Sequence, residues 1–373
     1  MKKIVVFPSD PIQAYLDLGQ TYEYYSDYFN PGRYFDEVYA LSPWGNKERE
    51  VHENVTYIKS KPKNFKKIIS EIKPDVVRAY GGYHCADWLA MNMIEGIPTV
   101  VSVHDTNPDL IFDSIKYADN VVYMARCVQD AVRKKVDCSG KGEWVMGNRI
   151  DTSLFSYTLD DKLNAKLNER FGSGRHILHV GRKSEQKNLD TLIRALQYLP
   201  EDVSVIFVGR GNFDPYVKLA KELGVFGRIY NVDHVENIEL PKWYSWCDCF
   251  CTPSRWEGFG FVFIEAASCQ TPIVTSDIGP MNEYLHSGED SILVKEYENP
   301  EEIAKAILYS FENRNEVDQM KKNARNVGLL FSKESVDAQE IAIYKAIIER
   351  GPRERALLPF WDRKKLEWKY RGY

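Results

Sequence analysis

TPSRWEGFGFVFIEAASCQTPIVTS, residues 252–276, is the stretch whose reading decides the fold. Residues 247–252 read as a buried strand that delivers the backbone to a Pro-Ser loop. That loop carries Glu257, then Gly258, Phe259 and Gly260. Residues 261–269 read as a helix bearing a second carboxylate, Glu265, and residues 272–275 as a short apolar strand. A helix that opens on a glycine-containing turn offers unpaired N–H groups and the positive end of its dipole, which suits an anion. Two carboxylates beside an anion site fit a ligand with hydroxyl groups as well as phosphate.

Upstream, HVGRKSEQKNLDTLIRAL repeats the pattern with the opposite charge. Arg182 and Lys187 stand five apart, where a strand gives way to a helix. An arginine forks onto two phosphate oxygens and a lysine adds a mobile point charge. Both features sit at strand-to-helix transitions in one half of the chain, so both reach one rim of the same sheet. The series around them predicts strands at 176–180, 204–208, 228–231, 248–252, 273–275 and 291–294. Helices are expected at 189–199, 215–223, 240–246 and 300–313, with a charged helix near 160–171.

The first half alternates in the same way. Strands are expected at 3–7, 37–41, 55–58, 75–80, 99–104, 120–124 and 144–146, and helices at 65–73, 85–95, 110–117 and 125–135. Residues 15–34, rich in tyrosine, read either as an amphipathic helix lining a cleft or as a surface helix. Such alternation implies an α/β fold of two mostly parallel, doubly wound sheets. Ligands of such sheets bind beyond the carboxyl ends of the strands. In the first half those ends are Ser9-Asp10, Gly81-Gly82-Tyr83-His84 and His104-Asp105-Thr106. The domains expected are 1–150, 151–335, and a terminal segment 336–373.

With 373 residues, 44% hydrophobic and 28% charged, the chain can bury two such cores. A net charge of −5 argues against general nucleic-acid affinity. No apolar run approaches the 18 or so residues of a membrane-spanning helix. The opening MKKIVVF is cut short by Pro8 and reads as the first buried strand. Seven cysteines without framework spacing favour a reducing, cytoplasmic compartment. Cys247, Cys249 and Cys251 share one face of a strand with no CxxC or HxxxH pair to complete a metal site, so they read as packed thiols. The tail changes character: residues 350–373 hold eight Lys or Arg against three acids, interleaved with Phe360, Trp361, Trp368, Tyr370 and Tyr373. That mixture suits contact with an anionic membrane surface, or a terminal helix packing back on the first domain.

GRKSEQKN, HVEN, PSRWEGFGFVFIEAASCQTPIVTS with its E-x7-E pair, NRIDTSLF at the junction and His104-Asp105 together resemble the retaining GT-B glycosyltransferases of the GT4 type. The resemblance covers most of residues 1–350. It implies two Rossmann-like domains facing across a cleft, with terminal helices returning towards the first. A nucleotide-sugar donor, UDP- or GDP-linked, would be held mainly by the second domain, with no cofactor and no metal. Arg182 and Lys187 would hold the diphosphate, and the amides of Phe259, Gly260 and Phe261 would add to them. Gly181 and Gly258 would lie against the donor, Val235 near the base and Glu265 at the ribose. Glu257 would contact the transferred sugar, and His104 would reach it from the first domain. Where the family carries a glycine-rich loop after its first strand, this chain reads FPSDPIQAYLDLG, leaving Ser9 and Asp10 on the acceptor side. The acceptor expected is a glycan or lipid-linked glycan, and the place of work the cytoplasm, at the inner face of the membrane.

Paired carboxylates also invite a glycosidase reading. The basic pair and helix-start anion site count against it, because a glycosidase binds no diphosphate. A nucleotide-sugar epimerase of the same fold, or a non-catalytic nucleotide-sugar-binding subunit, stays open as an alternative.

Overall fold

The structure, a computed structural model, describes residues 1–17, 19–353 and 358–373. The chain divides into two compact units, one of residues 1–147 with 336–373 and one of residues 148–335.

The first unit opens with β1 (Lys3–Phe7), α1 (Ile12–Leu16), α2 (Tyr22–Phe29), β2 (Glu37–Ser42), β3 (Arg49–His52) and β4 (Val55–Lys59). It continues with α3 (Phe65–Ile72), β5 (Val76–Tyr80), α4 (His84–Met91), β6 (Thr99–Val103), β7 (Asn120–Tyr123), α5 (Arg126–Lys135) and β8 (Gly142–Val145). Its sheet runs β3-β4-β2-β1-β5-β6-β7-β8, parallel except for β3, which pairs antiparallel with β4. Strands β5 and β6 are buried at every position, the mark of a parallel sheet covered on both faces. The order reverses between β1 and β5, which puts Ser9-Asp10 and the Gly81–His84 turn at a topological switch point.

The second unit contains α6 (Asp161–Phe171), β9 (Arg175–Val180), α7 (Leu189–Ala195), β10 (Val203–Val208), α8 (Asp214–Glu222) and β11 (Ile229–Val232). There follow α9 (Leu240–Trp246), β12 (Cys249–Thr252), α10 (Phe261–Ser268), β13 (Ile273–Ser276), α11 (Met281–Tyr284), β14 (Ile292–Val294), α12 (Pro300–Glu312) and α13 (Arg314–Leu330). The sheet is wholly parallel in the order β11-β10-β9-β12-β13-β14. Here the switch point lies between β9 and β12. Helix α14 (Lys333–Arg350) begins in this unit and continues in the first, which α15 (Phe360–Lys369) completes. Two parallel α/β units match the expected doubly wound fold.

Several expectations are corrected. Residues 110–117 form no α-helix; short 3-10 turns span Pro108–Leu110 and Asp113–Tyr117. Their geometry is set by tertiary bonds, Phe112 N–H to Gly82 O at 2.8 Å and the Ser114 hydroxyl to Asp87 at 2.5 Å. Residues 15–34 are not one helix. Gly19, at φ 86°, breaks the run, and Thr21 caps α2 by accepting the Tyr24 N–H at 3.1 Å. Leu18 lies outside the described residues, as do 354–357 of the basic tail. Helix α4 stops at Met91 rather than 95, where the Asn92 amide turns back to donate to Trp88 O and Pro62 O. The helix expected at 189–199 ends at Ala195 and tightens into a 3-10 turn at Leu196–Tyr198. Strand β3 went unforeseen because its sequence, REVH, contains no apolar run.

Among the described residues no helix is long and apolar enough to cross a membrane. All seven cysteines are free, and Cys247, Cys249 and Cys251 are buried.

Candidate functional site

In the second unit the chain leaves β9 through Gly181, Arg182 and Lys183 and enters α7 through a 3-10 turn at Glu185–Lys187. It leaves β12 through Ser254–Gly260 and enters α10. The two loops flank the switch point, and side chains lock them together. Gln186 Nε2 donates to Trp256 O at 2.9 Å, and Arg255 N–H donates to Gln186 O at 2.8 Å. The Arg255 guanidinium reaches Glu185 O at 2.8 Å, Asp190 at 3.1 Å and Glu298 at 3.0 Å. Arg255 therefore staples both loops and the segment before α12 into one rim.

Lys187 and Glu257 meet within that rim, Nζ to Oε1 at 2.5 Å, with side chains only 10% and 6% exposed. The Ser254 hydroxyl donates to the same carboxylate oxygen at 2.7 Å, and Gln186 Nε2 lies 3.3 Å from the other. An ammonium has three donors, so Lys187 can hold Glu257 and still offer N–H groups to a phosphate. Arg182 is exposed and forms no ion pair among the described residues, which leaves its guanidinium available to an anion.

Helix α10 opens on Gly260 in the left-handed region, φ 81°, with no side chain capping its first turn. A Cβ on Gly260 would fall 2.5 Å from the Phe263 ring, so glycine is required there. Phe259 is buried against Tyr284 and Phe331, and its carbonyl accepts the Tyr284 hydroxyl at 2.7 Å. Its backbone N–H is thus the part of Phe259 left to serve a ligand. Phe261 is exposed and stands one helical turn from Glu265 on the same face. Glu265 is half-buried and accepts the Tyr244 hydroxyl at 2.9 Å. Loss of hydration pushes the Glu265 carboxyl up to about 7, against the smaller opposing pull of that hydrogen bond.

The floor of the site rests on glycines. Gly181, at φ 151°, packs beside His179 and Lys187, and Gly209 sits so close to the Gly181 carbonyl that a Cβ would collide with it. His179, fully buried, pairs through Nδ1 with the Thr252 hydroxyl at 2.8 Å. Burial, with the ammonium groups of Lys187 and Lys183 nearby, holds its imidazole well below the usual range. Val235 is half-buried in the loop after β11.

The remaining candidates belong to the first unit. Ser9 and Asp10 follow β1 and are joined through Tyr15, whose hydroxyl lies 2.9 Å from Ser9 Oγ and donates to Asp10 at 2.7 Å. His104 follows β6. Burial and the neighbouring Arg78 push its imidazole down to about 4, so it is neutral at pH 7, and its Nε2 finds no partner among the described residues.

Sequence reasoning missed Ser254, Tyr244, His179 and the stapling role of Arg255, whose partners lie up to 73 residues away along the chain. It also missed the Gly209–Gly211 turn, although a glycine pair straight after a strand was a legible signal.

Residues 161–327 match the family described as Glycosyl transferases group 1. A D-inositol 3-phosphate glycosyltransferase of Xylanimonas cellulosilytica is 31% identical over 40% of this chain, a match that spans only 37% of that relative. An uncharacterized glycosyltransferase of Methanocaldococcus jannaschii is 25% identical over 73% of this chain and 77% of its own length. Among solved structures, HepE of Anabaena in complex with UDP and glucose superposes with a TM-score of 0.73 at 20% identity, covering 93% of this chain and all of that one. The fold is that of the GT-B glycosyltransferases.

Proposed function

We propose that the protein is a retaining glycosyltransferase that moves a hexose-like sugar from a UDP- or GDP-sugar to a glycan or lipid-linked glycan acceptor. The observation that carries this reading is the rim at the β9/β12 switch point. There an unpaired Arg182, a Lys187 with donors to spare and the uncapped start of α10 converge on one end of the sheet. As the glycosidic bond breaks, negative charge grows on the departing diphosphate. Fixed donors aimed at that charge are the largest catalytic term available, and losing one costs about a hundredfold in rate. Glu257, oriented by Lys187 and Ser254, is assigned to the transferred sugar, and Glu265 to the ribose hydroxyls. Val235 and the Phe259–Phe261 amides are assigned to the rest of the donor. Because Arg182 and Lys187 supply the cationic charge, the transfer is read as metal-independent, with no cofactor beyond the donor.

In the first unit, Ser9 and Asp10 are assigned to the acceptor and His104, as a neutral imidazole, to the sugar. The place of action is the cytoplasm, at the inner face of a membrane.

A thermal-shift panel of nucleotide sugars followed by turnover with the best ligand tests the reading. One donor is expected to stabilise the protein and to be consumed. Glu257→Ala should abolish consumption while nucleotide binding persists. Stabilisation without turnover in the unaltered protein would instead support a non-catalytic nucleotide-sugar-binding subunit.

A further inference from the structure

The proposed sugar transfer has no use for the exposed face of α15. Trp361, Lys364, Lys365 and Trp368 recur at i, i+3, i+4 and i+7 and so share one side of the helix. The two indoles are 74% and 65% exposed, and with Lys369 these residues line one open groove. Phe360, beside them, is 63% exposed. The rest of the helix is fastened to the first unit. Leu366 packs on its core, and Tyr370 and Lys369 both donate to the buried carboxylate of Asp87 on α4, at 2.6 and 2.9 Å. The helix is thus held in place with its tryptophans turned to solvent.

We propose that this face of α15 docks the protein on an anionic lipid surface. Indoles settle at the headgroup level of a bilayer, and lysines beside them lay their stems on apolar surface while their ammonium groups meet phosphate. Residues 358–373 carry five Lys or Arg against two acids, although the whole chain is at −5. An anionic surface attracts this face and repels the remainder, which orients the molecule as well as binding it. Asp362 and Glu367 pair with Lys365 at 3.2 Å and Lys364 at 2.7 Å, but these exposed pairs are weak, and the lysines can exchange them for phosphate. A second copy would bring like-charged lysines together, and an acidic peptide would leave the two indoles uncovered. The inference rests on the membrane-face reading above and supplies the surface that reading needs.

Co-sedimentation with vesicles tests it without any sugar transfer. Binding to vesicles containing phosphatidylglycerol should exceed binding to pure phosphatidylcholine roughly tenfold. Trp361→Ala/Trp368→Ala and Lys364→Gln/Lys365→Gln should each weaken the phosphatidylglycerol binding by about tenfold, with far-ultraviolet circular dichroism unchanged. If the tryptophan pair proves necessary for folding, the lysine pair decides. Equal binding to both vesicle types, no binding to either, or variants that bind like the parent would overturn the proposal. A dimer in lipid-free buffer that dissociates in the tryptophan variant would also overturn it and give the face to a second copy. Vesicle binding that survives while every nucleotide sugar fails would fault the transferase reading alone.

Discussion

Glu257→Gln separates the two tasks of the Lys187–Glu257 pair. Both side chains are at least nine-tenths buried, and the substitution removes the negative charge while keeping an acceptor for the Ser254 hydroxyl. It strands a buried ammonium, and breaking a buried pair from one side costs about 3 kcal/mol. Lys187→Met costs a similar amount from the other side. The double variant Lys187→Met/Glu257→Gln leaves neither charge behind, so it should recover about 2 kcal/mol relative to the sum of the singles. Urea denaturation of the unliganded protein measures all three. In turnover, Glu257→Gln should lower kcat/KM for the donor about a hundredfold. The Kd for the nucleoside diphosphate should hold or tighten, because the Lys187 ammonium loses its carboxylate partner and is drawn more strongly to phosphate. Strict additivity of the two substitutions would show instead that the pair carries no coupling. That result, or loss of nucleoside diphosphate binding in Glu257→Gln, would refute the separation of the two tasks.

Three further outcomes follow from the geometry. Gly260→Ala combines a left-handed backbone with a clash on Phe263 and should destabilise the protein by about 2 kcal/mol, read in the same urea series. Glu265, pushed up to about 7 from an ordinary 4.5, keeps its proton in the folded state over a range where the unfolded chain has lost it. Its contribution to stability is therefore full below pH 4.5 and lost as pH rises through 7, about 3 kcal/mol in all, and Glu265→Gln should flatten that dependence in thermal melts. Ribose hydroxyls favour the ionised carboxylate, so nucleotide affinity measured by calorimetry should rise with pH up to about 7 in the parent and stay flat in Glu265→Gln. Arg255→Ala unfastens the rim and should raise the donor KM severalfold while costing about 1 kcal/mol of stability, since its partners are partly exposed.

What the sequence made legible follows from burial. Strands such as Val76–Tyr80 and Val203–Val208 are buried at every residue, so they stand out as mostly apolar runs, broken only by Arg78 and Ser204. Strand Arg49–His52 lies at a sheet edge with half its residues exposed and carries no such signal. The 110–117 segment has the apolar spacing of a helix, yet Phe112 and Ser114 are committed to Gly82 and Asp87, and those bonds outweigh local propensity. In the site, residue type and position at strand ends pointed to Arg182, Lys187, Glu257 and Glu265. Their partners did not show, because no local pattern reveals that Lys187 meets Glu257 or that Tyr244 holds Glu265.

In the proposed function the rim around Arg182 binds a nucleoside diphosphate sugar and stabilises its departing diphosphate. The most direct measurement is release of nucleoside diphosphate from a panel of nucleotide sugars, by the parent and by Arg182→Ala. Arg182 is exposed and unpaired among the described residues, so its loss should leave the fold intact. One donor should be cleaved, and Arg182→Ala should slow release about a hundredfold with an unchanged melting temperature. A panel in which no donor is cleaved, or release that is indifferent to Arg182→Ala, would contradict this function.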